Sequence, residues 1–252
     1  MKLAALYTLF NGLDLASASL RFHKKNFDEV IICYQRISNK GNKNEALDFF
    51  LSDISGNGYH IVEFAPDLAL STKENERRKF QLLLDIAKDL SCSHYLLLAC
   101  DHFYQEQEFT FARDIVEREN FVTSFTKMIT YYKRPTWRLD PPEDYLCPFI
   151  SKLLPETKVI NQREYPAFVD PSLKVSPFLR ARIFGEEEIL LHHFSMIRTD
   201  IAEKFRNAAA SVRWSAQQID TFLEEYKNAA PGSELSYFGG RKIIEVENIF
   251  GL

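Results

Sequence analysis

Asp101 and His102 follow directly on the apolar run Leu96-Leu97-Leu98-Ala99-Cys100, and a second imidazole pair, His192-His193, follows the run Ile189-Leu190-Leu191. Apolar runs this short read as buried strands that stop at a sheet edge and deliver their last residues there. A carboxylate and imidazoles at the ends of two strands are donors for an octahedral Mn2+ or Mg2+ whose other positions go to water and phosphate oxygens. Such an ion neutralises the charge that builds on a departing diphosphate. The plainer reading makes His192 a strand cap and His193 a hydrogen-bonded core imidazole, and for the pair taken alone it is the favoured one. His102 fits a ligand, a base or the first residue of a turn.

Three further stretches carry polar chemistry. The loop Gln35 to Asn42 offers amides and a hydroxyl at the end of a strand, where a nucleobase or ribose can be read, although it holds neither GxGxxG nor GxxxxGK[ST]. Arg77, Arg78 and Lys79 lie in the first turns of a helix whose N-terminus faces the same edge, a place suited to phosphate, while a charged run on a helix is most often a solvated face. Glu143 and Asp144, and the run Glu186-Glu187-Glu188, are candidate general bases for an acceptor hydroxyl.

The elements that must position these residues follow from the pattern. Strands are predicted over residues 2–10, Glu29–Tyr34, His60–Phe64 and Leu96–Cys100. Helices start at Leu13, around Ala46, and at a capping box Ser71-Thr72-Lys73-Glu74. This alternation predicts an α/β fold with a Rossmann-like, mostly parallel central sheet flanked by helices. Later come a helix over Phe109–Glu119, a strand over Phe121–Tyr132, a proline loop at Asp140–Asp144, and a strand from Glu188 that ends on His192-His193. The chain closes with helices over Thr199–Ala209 and after Ser215, where Gln218 completes a second capping box, and with a late edge strand from Lys242. The division expected is an α/β domain over 1–194 and a helical extension over 195–252, with a short late strand, packed on the same domain.

The 252 residues carry a net charge of -4, so no global basic field collects nucleic acid. Cys33, Cys92, Cys100 and Cys147 form no CxxC pair, which fits reduced thiols in a cytoplasmic protein. The N-terminus lacks a signal peptide pattern, and no apolar run approaches the ~20 residues of a transmembrane helix. Any membrane association is therefore expected to be peripheral, and aromatic surface positions would permit a homodimer.

Several separated stretches resemble the A-type glycosyltransferases, and within them a bacterial and phage group related to family 2. These are residues 28–35 with Ser38-Asn39-Lys40-Gly41-Asn42, His94 to Tyr104, Tyr145 to Ile150, Val169-Asp170-Pro171-Ser172, His192 to Ile201, and Val246 to Phe250. The resemblance implies a nucleotide-diphosphate sugar donor bound at the first strands, a glycan or lipid-linked glycan acceptor, and a divalent metal held by an acidic motif after the fourth strand. That motif is typically Asp-x-Asp; here Ala99 stands at the first aspartate, Asp101 at the second, and His102 at the following acid. His192 or His193 matches a late histidine ligand. Asp101 and His193 are then expected to hold Mn2+ or Mg2+, with His192 and His102 as helpers. Tyr7, Gln35 and Asn39 would face the nucleoside, Arg78 and Lys79 the phosphates or donor sugar, and Glu143 or Asp144 would be the base of an inverting reaction. Arg198, Lys204 and Arg206 would cover the site or shape its acceptor side. The implied place is the cytoplasm, at the inner face of its membrane, in surface polysaccharide or lipooligosaccharide synthesis. Two rival readings are a sugar nucleotidyltransferase and an inactive carbohydrate-binding or assembly subunit, the latter drawing on Ala99.

Overall fold

A computed structural model describes residues 1–162, 164–170, 173–207 and 214–252. The chain begins β1 (Leu3–Leu9), α1 (Leu13–His23), β2 (Glu29–Tyr34), α2 (Leu47–Ile54), β3 (His60–Glu63), α3 (Thr72–Asp89) and β4 (His94–Ala99). It continues β5 (His102–Phe103), α4 (Glu106–Glu119), β6 (Thr123–Tyr132), β7 (Trp137–Asp140), β8 (Cys147–Pro148) and β9 (Ser151–Lys152). Then follow β10 (Lys158–Val159), β11 (Val175–Ser176), β12 (Ala181–Ile183), β13 (Leu190–Met196), α5 (Ile201–Asn207), α6 (Ala216–Asn228), β14 (Glu234–Leu235) and β15 (Arg241–Glu245). The last residues expected in the helix at Thr199–Ala209, and Pro171-Ser172 of the resemblance, lie outside the described residues.

The fold is α/β, with a mostly parallel sheet flanked by helices. Its order is β3-β2-β1-β4-β9, parallel through the first four strands and antiparallel only at β9. β1 and β4 are apolar on both faces because both are covered. Ala4, Leu6, Tyr95 and Leu97 pack with Leu83, Leu84 and Ala87 of α3. Leu3, Ala5, Tyr7, Leu96 and Leu98 point the other way and pack with Ala16 and Leu20 of α1. The Ser71 hydroxyl caps α3 by accepting the Glu74 N–H at 3.2 Å, but the reciprocal half of the expected box is absent because the Glu74 carboxylate holds Arg77 instead.

Among the described residues a second sheet runs β14-β15-β7-β6-β13-β5, with β8 and β12 also pairing with β6. Described residues beyond 194 continue this sheet, since Met196 belongs to β13 and β15 pairs antiparallel with β7. The late strand was expected at an edge; β14 in fact covers it, because the tight turn over residues 236–240 folds the chain back antiparallel beside it. His192 and His193 do not end their strand as expected but lie inside it. The run stays extended through Met196 because His192 and Phe194 are buried like Leu191 before them. No helix among the described residues is long and apolar enough to cross a membrane.

Several imidazoles are buried. His23 is 1% exposed, ringed by Phe22, Phe27, Phe103, Tyr104 and Phe109, and burial pushes its pKa down to about 4. The folded state keeps this ring neutral, whereas the unfolded chain takes up a proton below about 6.5. Its contribution is therefore intact above that pH and is lost as the pH falls from about 6.5 towards 4, by roughly 3 kcal/mol in all. His23→Phe is expected to move the acid-unfolding midpoint to lower pH in a circular-dichroism titration; an unchanged midpoint would contradict the assignment.

Candidate functional site

The sheet order places a topological switch point between β1 and β4, since the chain builds β2 and β3 on one side of β1 and β4 on the other. Ligands of open α/β sheets bind beyond the carboxyl ends of the strands at such a point. A cavity of about 210 Å³ opens there, lined by Thr8 to Asn11 after β1, Gln35 after β2, and Ala99 to Asp101 after β4. α3 supplies Glu76 and Lys79, and the segment after β13 supplies Arg198 and Lys204.

One wall is a closed polar network. Gln35 Nε2 donates to Asn39 Oδ1 at 2.9 Å, Asn39 Nδ2 donates to Glu76 Oε1 at 2.6 Å, and Lys79 Nζ reaches Gln35 Oε1 at 2.7 Å and Glu76 Oε1 at 2.9 Å. Gln35, Asn39 and Lys79 thus all line the cavity. Tyr7 does not: strand alternation turns its ring under α1, where its hydroxyl lies 3.2 Å from Ser19 Oγ. Arg78 does not either. A helix turns about 100° per residue, so Arg78 leaves the cavity side and meets Asp67 at 4.0 Å with 45% of its side chain exposed.

The opposite wall is charged. Arg198 Nη2 donates to Asp101 Oδ2 at 2.5 Å, and its Nη1 lies 3.3 Å from Asp14 Oδ1. Both Arg198 and Asp101 side chains are 7% exposed. Arg198 lies against Gly12, where an added Cβ would collide with the guanidinium; glycine is needed there for space as well as for its φ of 81°. Lys204 Nζ donates to the Ser195 carbonyl at 2.6 Å, and burial pushes its pKa down to about 8. Arg206 points outward beside Asp200.

Asp101 also faces two imidazoles, with His102 Nε2 at 3.9 Å and His193 Nε2 at 3.8 Å from Oδ1. The meeting is made by strand register. His193 lies opposite His102 in the β13–β5 pair, and the Phe194 N–H donates to the Asp101 carbonyl at 2.8 Å. Burial alone would raise the Asp101 pKa, but the Arg198 guanidinium and the Lys204 ammonium outweigh it and hold the carboxyl well below the usual range. Burial pushes His193 down to about 3 and lowers His102, so both rings are neutral, the state a metal requires.

One donor atom from each of Asp101, His102 and His193 lies within 4.8 Å of the others. Asp101 Oδ1 has no hydrogen-bond partner among the described residues. This donor set fits a divalent cation, and its two nitrogens suit Mn2+ better than Mg2+. Asp101 and His193 fit directly. The Ala99 N–H donates to His102 Nδ1 at 3.3 Å, which puts the His102 proton on Nε2, so this ring joins only if it changes tautomer. His192 does not join. Alternation turns it to the other face, where its Nδ1 lies 2.9 Å from the Tyr131 hydroxyl and its ring packs on Phe250.

A neighbouring cleft of about 380 Å³ brings Glu143 together with His193, Tyr145 and Tyr237. Burial raises the Glu143 pKa; Thr130 Oγ1 donates to its carboxylate at 3.2 Å, and Arg241 Nη1 lies 3.9 Å away. Asp144 is 83% exposed and pairs with Arg241 at 2.7 Å outside the cleft lining. Glu186 and Glu188 are tied to Lys127 and Arg182. Sequence reasoning missed Glu76, Asp14 and Arg241. Glu76 carried a local signal, three residues before Lys79 on one helix, whereas Asp14 and Arg241 meet their partners only through the tertiary fold.

No family model matches the chain, and no curated protein matches it. Among solved structures, S. aureus TarS residues 1–349 are 12% identical, with 90% of this chain and 71% of that one covered at a TM-score of 0.48. A longer S. aureus TarS structure is 13% identical over 90% of this chain at a TM-score of 0.43, and this chain spans 43% of its length. Mannose-1-phosphate geranyltransferase from Thermus thermophilus is 12% identical, with 59% of this chain and 50% of that one covered at a TM-score of 0.34.

Removing Arg198 leaves Asp101 buried and unpaired. Arg198→Ala is expected to lower unfolding free energy in urea by roughly 3–5 kcal/mol, and adding Asp101→Asn should restore part of it. A double variant no more stable than Arg198→Ala would contradict the pairing.

Proposed function

We propose that this protein is a glycosyltransferase that moves a sugar from a nucleotide-diphosphate sugar to a hydroxyl of a glycan acceptor, in surface polysaccharide or lipooligosaccharide synthesis. The observation that carries this reading is the cavity at the switch point, with amides on one wall and a carboxylate, a guanidinium and an ammonium on the other. Gln35 and Asn39 read the nucleoside. Lys79 is held by Gln35 and Glu76 on the amide wall, while Arg198 and Lys204 stand on the wall with Asp101 and are the cations that bind the diphosphate. Arg198 keeps guanidinium N–H groups for phosphate oxygens while it holds Asp101. Mn2+ or Mg2+, held by Asp101 and His193 with His102 as a helper, would neutralise charge on the leaving diphosphate.

Glu143 takes the proton of the acceptor hydroxyl as that oxygen attacks the anomeric carbon and the bond to the diphosphate breaks, which inverts the centre. A carboxylate with a raised pKa is the stronger base, and burial raises that of Glu143 inside the cleft, whereas Asp144 is exposed and lies outside its lining. We place the reaction in the cytoplasm, where thiols such as the four free, buried cysteines stay reduced. A second reading, an inactive carbohydrate-binding subunit, draws on Ala99 and on the claim that Arg198 already makes on Asp101.

Thermal-shift measurements with UDP-, GDP-, dTDP- and CMP-sugars, with and without Mn2+, test the reading. At least one nucleotide sugar is expected to raise Tm, and Asp101→Asn should remove the Mn2+ increment. No shift with any of them would overturn it. Glu143→Gln should keep the shift but lose about 100-fold or more in turnover; equal loss of both would move Glu143 out of the base role. Lys204 adds a pH dependence. Its ammonium is lost as the pH rises through about 8, so nucleotide affinity should fall across that range in calorimetric titrations and stay flat in Lys204→Arg.

A further inference from the structure

A third cleft, of about 490 Å³, lies between α6 and the turn Ser236–Phe238 that follows β14. Its floor is aromatic. The Trp214 and Tyr237 rings meet edge to face with centroids 4.1 Å apart, Phe222 lies 5.2 Å from Tyr237, and Tyr237 remains 41% exposed. Its wall is polar. Gln217, Thr221 and Glu225 recur every fourth residue of α6 and so share one face. The Ser236 hydroxyl donates to Glu225 Oε2, while Glu225 Oε1 is buried with no hydrogen-bond partner among the described residues.

We propose that this cleft binds a pyranose ring of the acceptor glycan. A pyranose presents an apolar C–H face, which packs on aromatic rings, and a rim of hydroxyls, which donate to carboxylates and exchange hydrogen bonds with amides. The Glu225 carboxylate lines the cleft and supplies an acceptor for such a hydroxyl. Charge selects the class of ligand. Among the described residues Glu225 is the one ionisable carboxylate in the lining and no lysine or arginine accompanies it, so a phosphate or nucleotide is repelled while a neutral sugar is not.

Position selects the role. Tyr237 also lines the cleft that holds Glu143 and His193, so a saccharide seated on its ring continues directly towards the base and the donor. The assignment rests on the transferase reading for the word acceptor, but saccharide binding at this cleft stands by itself.

The chain has two tryptophans, so Trp137→Phe leaves Trp214 as the sole indole reporter. Its emission is titrated with methyl glycosides of glucose, galactose, mannose, rhamnose and N-acetylglucosamine, and with maltose, lactose, chitobiose and mannobiose. At least one is expected to give a saturable change. Tyr237→Ala and the isosteric Glu225→Gln should each weaken it roughly tenfold, and Asp101→Asn should leave it unaltered. No change with any saccharide up to about 50 mM, or Tyr237→Ala and Glu225→Gln both titrating like the parent, overturns the proposal. So does self-association in sedimentation velocity that Tyr237→Ala abolishes, since the cleft then belongs to a second copy. The two readings fail separately. Saccharide binding without any nucleotide-induced rise in Tm removes the transferase and keeps the site, and a nucleotide response without saccharide binding does the reverse.

Discussion

The contact between Asp101 and Arg198 is the constraint on which the rest of the site depends. It ties the end of β4, in the first sheet, to the segment after β13, in the second, through a guanidinium and a carboxylate that are both almost wholly buried. A buried ion pair is weak evidence of net stabilisation, because desolvation offsets most of the attraction. What it fixes here is geometry. Arg198 also reaches Asp14 and lies against Gly12, so the turn after β1 is shaped around it. With Arg198 in place Asp101 stays ionised, and its second oxygen faces His102 and His193.

The charge balance of the cavity follows from the same pair. Lys79 and Glu76 cancel, Asp101 and Arg198 cancel, and Lys204 is left as a half-buried ammonium with a lowered pKa. A diphosphate entering the cavity brings negative charge that Lys204, Arg198 and a divalent ion would share. Ala99 removes one carboxylate from the place where the sequence resemblance expects two. Arg198 shows how the remaining one is used, with Oδ2 on the guanidinium and Oδ1 turned to the imidazoles. The proposed acceptor side is built differently: Glu143 is half-enclosed with a raised pKa, and the cleft beyond it is aromatic and without cations among the described residues.

The four parallel strands of the first sheet and α3 were legible in the sequence, β1, β2 and β4 because strands covered on both faces write themselves as continuous apolar runs, while the antiparallel β9 was not. Parity was harder to read. His192 and His193 looked equivalent as the end of a strand, yet the strand continues and alternation sends them to opposite faces. Tyr7 was lost to the core for the same reason. Arg78 and Lys79 are adjacent, but only Lys79 falls on the buried stripe with Asn75 and Leu83, four residues away on either side; that spacing was available to separate them. The pairing of His102 with His193 was not legible, since it depends on a two-residue strand, β5, and on a partner about ninety residues away. Arg241 and Glu143 meet by the same kind of long-range closure.

A crystal structure with a bound nucleoside diphosphate, sought with UDP, GDP and dTDP, tests the central claim most directly. The account expects the base beside Gln35 and Asn39, and the diphosphate within hydrogen-bond distance of Arg198 and Lys204, on the side of Asp101 that faces His193. A nucleotide bound elsewhere, or a diphosphate that contacts neither Arg198 nor Lys204, would contradict it.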